Sequence, residues 1–418
     1  MTISEMDIPA QEKPALLNTP GKWRTLVLLS VAELLGMAVW FSASAVVPAL
    51  TDIWSLSDGD KAWLTMSVQI GFVIGSLVSA IFNLADRWPS RRLFASSSLM
   101  AGVTTALIAV VANSLWVALI LRFFTGVFLA GVYPVGMKIM ATWTKRDRGL
   151  GIGLLVGALV LGSASPHLLN ALGGVNDWRP VMYLAAASAG FGAVIGILFI
   201  TEGPYQSPAP RFQWRQVGRI LAEKDIALAN LGYLGHMWEL YAMWAWIPLF
   251  ILISFEERGI NPTWASLAAF AIIAVGGIGS FIAGPLADRF GRTLVTSVSL
   301  IISGTSALLI GFLFGGNPIA LVTLALIWGF AVVADSAQFS AAVSELSPPK
   351  YVGTALTLQT SLGFLLTLFS IRLIPPLVDL IGWRFAFSSL AFGPLIGVWA
   401  MLALRRLPNA DKLARGQK

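Results

Sequence analysis

Residues 284–292 read GPLADRFGR, a short basic loop that separates two long apolar stretches. The stretch before it runs from Trp264 to Ala287, and the stretch after it runs from Leu294 to Phe314. A helix needs about 20 predominantly apolar residues to cross the hydrocarbon core of a bilayer. This part of the sequence therefore predicts two membrane-spanning helices joined by a tight basic turn.

The composition of the whole chain agrees with that interpretation. Hydrophobic residues make up 56% of the 418 residues, charged residues make up 12%, and the mean hydropathy is +0.77. A soluble domain carries about 25% charged residues because its surface faces water. Much of this surface must instead face lipid, so the bilayer is an expected partner. The net charge of +7 arises mainly in short loops, where it is a topology signal, and no nucleic acid is expected.

Apolar runs between polar segments predict twelve spans in two sets of six. The N-terminal set is Arg24–Leu50, Ala62–Leu84, Leu93–Ala112, Leu115–Trp143, Leu150–Leu172 and Val181–Ile200. The C-terminal set is Ile226–Ser254, Trp264–Ala287, Leu294–Phe314, Ile319–Val343, Val352–Ile374 and Phe385–Leu404. We expect an all-α membrane protein with bundles at 24–200 and 226–404, a linker at 201–225, and tails at 1–23 and 405–418.

The distribution of basic residues predicts the orientation of these spans. Of the 28 Lys and Arg residues, most lie in alternate loops and in the two tails. The opposite loops hold only Lys61, Arg179, Arg258 and Arg384. Because cytoplasmic loops carry the excess of Lys and Arg, both termini are predicted to be cytoplasmic in a bacterial-type inner membrane.

An internal repeat relates the two sets of spans. Ala-Asp-Arg follows the second span at 85–87 and the eighth at 287–289, and Trp-Arg precedes the sixth and twelfth spans at 178–179 and 383–384. The first and seventh spans share a third echo, in which Glu33, Met37 and Trp40 recur as Glu239, Met243 and Trp246. These in-register echoes predict a duplicated six-helix unit. Since six is even, the halves share one orientation, related by an axis along the membrane normal.

The chain resembles the major facilitator superfamily of secondary transporters over essentially its whole length. The loop at 284–292 closely matches that family's G-x-x-x-D-R-x-G-R signature. The N-terminal copy is degenerate, with Phe82 at the first Gly position and Pro89-Ser90 at the second. A further family feature, an Arg in the fourth span followed by small residues, is echoed by Arg122-Phe123-Phe124-Thr125-Gly126.

The resemblance implies a cytoplasmic gate between the halves. A carboxylate stabilises the positive N-terminal end of a facing helix, so Asp86 is expected near Val352–Gly353 and Asp288 near Gly149–Leu150. The gate residues are predicted to be Asp86, Arg87, Arg91, Asp288, Arg289 and Arg292. The alternative is that these Arg residues and Arg92 anchor helix ends at lipid headgroups.

Ionisable residues inside the spans are the next candidates, since each costs about 2.5–3.5 kcal/mol to insert. Glu33 lies roughly 14 Å into the first span, at 1.5 Å per residue, which is near the midplane. Glu239, Arg122 and Asp335 occupy the seventh, fourth and tenth spans, and these four spans line the central cavity in the family that the chain resembles. Glu33 or Glu239 could bind and release a proton. The alternative is a static Arg122–Glu33 ion pair that ties two helices together.

The seventh span concentrates polar and aromatic side chains within residues 235–246, GHMWELYAMWAW. Aromatic groups around a carboxylate could contact an organic or cationic solute by stacking and by cation–π attraction. Trp also anchors helices at membrane interfaces, although this cluster lies deeper. The predicted solute and proton pathway comprises Glu33, Trp40, Arg122, Tyr133, His236, Glu239, Tyr241, Trp244, Asp335 and Gln338.

These features predict a secondary active transporter that moves a small organic solute by alternating access and is coupled to protons. No phosphate-binding G-x-x-x-x-G-K-[ST] motif is present, and we expect no cofactor, no metal and no catalytic residues. Gly157-Ala158 replaces the Gly-Pro pair typical of drug-export antiporters, which weakens an efflux function without excluding it. A channel, a transporter-like sensor and a membrane-embedded enzyme are lesser alternatives, and a monomer is expected.

Overall fold

The computed structural model describes residues 21–144, 148–173, 177–205, 217–348 and 351–418, and these residues form helices joined by short turns. Most of the predicted N-terminal tail and part of the predicted linker, at residues 1–20 and 206–216, lie outside the described residues. Because the linker is only partly described, its predicted bounds stay a prediction.

Nineteen α-helices occur in the described residues, and short 3₁₀ helices cover Ile310–Leu313, Phe387–Ala391 and Pro408–Gly416. The N-terminal half contains α1 (Lys22–Met37), α2 (Ser42–Ala45), α3 (Val47–Trp54), α4 (Asp58–Phe82), α5 (Leu84–Arg87), α6 (Ser90–Val111), α7 (Leu115–Leu129), α8 (Tyr133–Trp143), α9 (Arg148–Gly173) and α10 (Arg179–Phe199). The C-terminal half follows α11 (Val217–Ala222) and contains α12 (Lys224–Glu256), α13 (Pro262–Phe290), α14 (Arg292–Leu309), α15 (Pro318–Ala334), α16 (Ser336–Leu346), α17 (Val352–Ile381), α18 (Trp383–Ala386) and α19 (Phe392–Arg405).

Within the described part of the chain, 11 segments are long and apolar enough to cross a membrane, and they match the second to twelfth predicted spans. The first predicted span is divided, because α1 ends at Met37 and turns at 38–41 separate it from α2 and α3. The eleventh runs past its predicted end at Ile374 and carries Pro375 and Pro376 inside α17. Proline is tolerated inside a membrane helix because neighbouring groups satisfy the carbonyls that it frees.

The outer surface of the bundle is apolar. Trp116, Ile319 and Leu380 are 74%, 76% and 79% exposed. Contiguous apolar surface of this kind is rare on soluble monomers and marks contact with a membrane or a partner. Together with the apolar spans, this surface identifies a multi-pass membrane protein.

Matched glycine contacts support the predicted duplication. A Cβ atom at Gly126 of α7 would lie 1.9 Å from the carbonyl oxygen of Val68 in α4. In the other half, a Cβ atom at Gly329 of α15 would lie 1.8 Å from the carbonyl oxygen of Ile272 in α13. Only glycine permits such close backbone approach between membrane helices. The second and fourth spans therefore pack as the eighth and tenth do.

The halves meet along α9–α13 and α4–α17. The hydroxyl of Thr367 lies 2.6 Å from Oε1 of Gln69, and Asn170 donates a hydrogen bond to Ser266 at 3.1 Å. Toward the other end of the bundle the halves separate around a cavity. We call that end the terminal face, because Gly21 lies beside Trp143 there and Lys418 accepts a hydrogen bond from Thr293.

Candidate functional site

A cavity of about 1930 Å³ lies between the halves and reaches the terminal face. Its inner end is lined by Trp40, Phe72, Tyr241, Trp244 and Phe364. Its wall and mouth include Tyr133, Lys138, Gln338, Arg292, Asp86, Arg87 and Asp288. Since ligand pockets for small molecules usually measure about 300–1,000 Å³, this cavity is large enough for a small solute together with water.

Aromatic rings from both halves close the inner end of the cavity. The centroid of Trp40 lies 5.0 Å from that of Phe72, 5.6 Å from that of Phe364 and 6.0 Å from that of Tyr241. Trp244 lies 5.5 Å from Tyr241. These tilted, close rings bury large apolar area and form a plug between the cavity and the opposite face. Trp40, Tyr241 and Trp244 were expected here from the sequence, whereas nothing distinguishes Phe72 and Phe364 among the chain's 24 phenylalanines.

The seventh span presents its polar side chains to two different surroundings. Tyr241 and Trp244 line the cavity, whereas Glu239 is not part of its lining and packs toward α14 and α15. Ser303 donates a hydrogen bond to Oε2 of Glu239 at 2.8 Å, and the indole of Trp328 donates one to Oε1 at 2.6 Å. The carboxylate therefore joins three helices behind the cavity wall.

His236 also lies behind the wall, next to a break in the tenth span. Its Nδ1 atom is 2.9 Å from Oδ1 of Asp335, and both side chains are buried. Asp335 occupies the turn between α15 and α16, and its carbonyl accepts a hydrogen bond from the backbone N–H of Gln338 at 2.9 Å. Gln338 does line the cavity, where its side chain accepts a hydrogen bond from Arg292 at 2.7 Å.

Arg122 holds the break in the first span. Its guanidinium donates hydrogen bonds to the carbonyl oxygens of Val39 at 2.7 Å, Trp40, and Leu64 at 3.2 Å. The ends of a helix leave backbone carbonyls without partners, and inside a membrane such groups must be satisfied by protein. Arg122 does so here for residues 39 and 40, and it forms no ion pair with Glu33 within the described chain.

Among the described residues, Glu33 differs from the other buried acids in having no polar partner. It is fully buried, and among the described residues neither carboxylate oxygen has a hydrogen-bond partner. The carboxylate packs against Gly136 of α8, where a Cβ atom would come 2.6 Å from Oε2. Tyr133, on the same helix, lines the cavity, so Glu33 lies behind the helix that carries Tyr133.

The charged residues at the mouth pair within each half. Lys138 contacts Oδ1 of Asp86 at 2.5 Å, and Arg292 contacts Glu345 at 2.6 Å and Asp288 at 3.2 Å. Among the described residues, the ion pairs of Asp86 and Asp288 are therefore with their own half, and their expected approach to Val352–Gly353 and Gly149–Leu150 stays a prediction. Arg289 lies over the ring of Phe290, 5.1 Å away, and Arg91 is exposed. The gate stays a prediction.

A model of the Major Facilitator Superfamily matches residues 29–276 and 230–418. The chain belongs to this superfamily. It is therefore a membrane transporter with the two-bundle fold of that family, as the sequence predicted. In transporters built from structural repeats, the solute site lies at the interface of the repeats near the bilayer midplane.

Related proteins and a solved structure match most of this chain. The chain is 26% identical to an uncharacterized MFS-type transporter, YfnC, of Bacillus subtilis, over 98% of this chain and 99% of that protein. It is 25% identical to the putative niacin/nicotinamide transporter NiaP of Bacillus subtilis, over 64% of this chain and 67% of that protein. The crystal structure of a bacterial homolog of the human lysosomal transporter Spinster, inward-facing and occupied, superposes with a TM-score of 0.71 and 14% identity, covering 93% and 98% of the two chains.

Proposed function

We propose that the protein is a secondary active transporter that moves a small, partly aromatic organic solute together with a proton. The observation that carries this proposal is the cavity between the halves, open at the terminal face and plugged by aromatic rings at its inner end. A solute that reaches Trp40 and Tyr241 contacts both halves at once. Rocking of the halves about such a site is the general basis of alternating access.

Glu33 is the proposed carrier of the coupling proton. Both oxygens of Glu239 accept hydrogen bonds, from Trp328 and Ser303, whereas those of Glu33 have no partner among the described residues. An ionised carboxylate without partners is very costly to bury, so we expect Glu33 to be neutral in this conformation. Movement of α8 against α1 would expose it to water and allow the proton to leave. His236 and Asp335 form a second buried pair that could take part.

The terminal face is proposed to be cytoplasmic, in a bacterial-type inner membrane, with the protein acting as a monomer. The chain contains no cysteine, so single cysteines can be introduced without background labelling. Ala341→Cys lies in the cavity wall, and Glu257→Cys lies in the exposed turn at the opposite face. In intact cells, an impermeant maleimide should label Glu257→Cys and spare Ala341→Cys. The reverse pattern would overturn the orientation.

Transport is tested in proteoliposomes. Purified protein is first screened by thermal shift against small organic compounds, and the hits are then used for uptake with an imposed pH gradient. Proton-coupled symport predicts that the solute accumulates when protons flow in the same direction as the solute. A protonophore and the Glu33→Gln substitution should each abolish this accumulation, and Glu33→Gln should still exchange solute. Asp379→Asn, at an exposed acid, is the matched control and should accumulate solute like the wild type.

The outcomes separate the competing functions. Accumulation that requires the opposite gradient would support efflux by proton antiport, and full accumulation by Glu33→Gln would exclude Glu33 as the carrier. Flux that ignores the gradient would exclude proton coupling. Binding without any flux would favour a transporter-like sensor.

A further inference from the structure

Some indole N–H groups of this chain have a hydrogen-bond acceptor, and others have none among the described residues. An indole nitrogen is a donor only, and a buried one normally finds an acceptor. Four indoles have an acceptor: Trp143 donates to the carbonyl of Thr201 at 2.8 Å, Trp238 to that of Ser389 at 3.2 Å, Trp246 to that of Ile371 at 2.9 Å, and Trp328 to Oε1 of Glu239 at 2.6 Å. Among the described residues, the buried N–H groups of Trp40, Trp178 and Trp244 have no acceptor.

Two of these three tryptophans line the cavity. Trp40 and Trp244 line its inner end, come from opposite halves, and are each 1% exposed. Both rings flank Tyr241, at 6.0 and 5.5 Å between centroids, so one small solute can contact both. Trp178 is outside the cavity, packed against Trp54 near the opposite face. Leaving a buried donor unpaired costs about 1–3 kcal/mol, and a ligand acceptor would relieve that cost.

Among the described residues, none at the inner end of the cavity carries a formal charge. Every charged residue that lines the cavity, within the described chain, lies toward the mouth: Asp86, Arg87, Lys138, Glu202, Asp288, Arg292, Glu345 and Arg415. Arg122 lies near this region because it binds the carbonyl of Trp40, but it does not line the cavity and its guanidinium is engaged by backbone carbonyls of the first and second spans. Glu33, Glu239 and Asp335 do not line the cavity. An anion or a cation at the inner end would therefore be buried without a counter-charge, which is unfavourable.

We propose that the inner end binds an uncharged planar aromatic solute whose hydrogen-bond acceptors receive the N–H groups of Trp40 and Trp244. A carboxamide, a protonated carboxylic acid or a ring nitrogen has the required chemistry. The ring of the solute packs against Tyr241 and Phe364, whose own centroids are 4.9 Å apart. The inference rests on the proposed function and specifies the class of solute.

Binding of defined probes to the purified protein tests this inference. Nicotinamide and benzamide are neutral and carry acceptors, benzoate is an anion at pH 7, and toluene has a ring without an acceptor. Isothermal titration calorimetry should show that the two amides bind at least about 10-fold more tightly than benzoate or toluene. This ranking uses the wild-type protein, so it does not depend on the folding of any variant.

Removal of single N–H groups tests the two donors. Trp40→Phe and Trp244→Phe keep an aromatic ring, and each should weaken nicotinamide binding by about 3- to 10-fold, the range of one lost neutral hydrogen bond. Toluene binding should change by less than about 2-fold in either variant. Trp178→Phe removes an unpartnered N–H outside the cavity and is the matched control, with unchanged affinity expected. Melting temperatures verify that each variant is folded.

The possible failures are distinguishable. Unchanged amide affinity in both folded cavity variants would overturn the role of the donors. Tighter binding of benzoate than of benzamide would overturn the proposal that the solute is uncharged. Transport of other solutes by a protein that binds none of these probes would also overturn the proposed solute class. If no compound of any class is transported, the proposed function itself fails.

Discussion

The first and seventh spans carry the same three residues in the same register but fold differently. Glu33, Met37 and Trp40 correspond to Glu239, Met243 and Trp246. The seventh span is one continuous helix from Lys224 to Glu256, whereas the first breaks after Met37. The break is held by Arg122, a residue of another span. A duplicated sequence motif therefore does not guarantee a duplicated local structure.

In the C-terminal copy of the motif, the polar side chains have hydrogen-bond partners. Their counterparts in the N-terminal copy have none among the described residues. Glu239 accepts two hydrogen bonds and Trp246 donates one to Ile371. Neither Glu33 nor the N–H of Trp40 has a partner among the described residues. A satisfied buried network rigidifies a structure, whereas unsatisfied groups are available to a ligand or a proton. The contrast suggests that the first span exchanges partners during transport while the seventh serves as scaffold.

Loss of Arg122 should have the largest effect. Arg122→Leu leaves the carbonyls of Val39, Trp40 and Leu64 without this donor in a buried site, which should lower the free energy of unfolding by about 3 kcal/mol or more. Thermal unfolding of the purified protein measures the change. Arg289→Leu, which removes an Arg beside Phe290, is the control and should cost less than about 1 kcal/mol. Equal stability of Arg122→Leu and the wild type would show that the break does not depend on this side chain.

Crowding of Glu33 should have the next largest effect. Gly136→Ala places a methyl group 2.6 Å from Oε2 of Glu33, and overpacking of this kind costs about 1–3 kcal/mol. Chemical or thermal unfolding gives the stability, and the double variant with Glu33→Ala should recover part of the loss. Gly190→Ala, where nothing lies within 4 Å of the new atom, should be neutral or slightly stabilising. A neutral Gly136→Ala would mean that Glu33 moves freely away from α8.

The two glutamates should respond unequally to amidation. Glu239→Gln replaces one acceptor oxygen by an NH₂ group, so the Ser303 hydroxyl or the Trp328 indole can no longer donate to that atom, and stability falls by about 1–3 kcal/mol. Glu33→Gln breaks no hydrogen bond among the described residues and should change stability by less than about 1 kcal/mol. Melting curves of each variant, recorded beside the wild type, measure both changes in stability. Equal losses would remove the proposed distinction between exchanging and scaffold glutamates.

The matched tryptophans should give the smallest difference. Trp246→Phe loses the hydrogen bond to the carbonyl of Ile371 and should cost about 0.5–1.5 kcal/mol more than Trp40→Phe, whose N–H has no partner. Both rings are buried, so the loss of ring volume largely cancels in the comparison. Unfolding of the two variants under identical detergent conditions measures the difference. A larger loss for Trp40→Phe would indicate that its N–H has an acceptor in solution.

Much of the fold followed from local hydropathy, and part of the site did not. The basic loop at 284–292 and the echo at 85–87 identified paired spans, two halves and the family, because span length and loop charge are local properties. Trp40, Tyr133, Tyr241, Trp244 and Gln338 do line the cavity. Glu33, Arg122, His236, Glu239 and Asp335 lie behind its wall or away from its lining, and their roles in transport stay predictions.

The direction in which each side chain points could not be read from the sequence. The seventh span is buried around its whole circumference, with Glu239 on one side and Tyr241 on another. A helix that is apolar on every face carries no periodic signal to separate cavity from helix contact. The alternative of an ion pair between Arg122 and Glu33 illustrates the same limit, since the break in the first span supplies backbone carbonyl acceptors for the guanidinium.

By itself, the sequence determined that the chain crosses a membrane many times, that it consists of two related halves, and that it belongs to a family of transporters. Tertiary structure alone decided where the first span breaks, which carboxylates are satisfied, and which indole N–H groups have an acceptor among the described residues. The physical reason is that hydropathy and loop charge act over one segment at a time. The partners of Arg122, Glu239 and Trp40 come from other spans, and their positions depend on how all the helices pack.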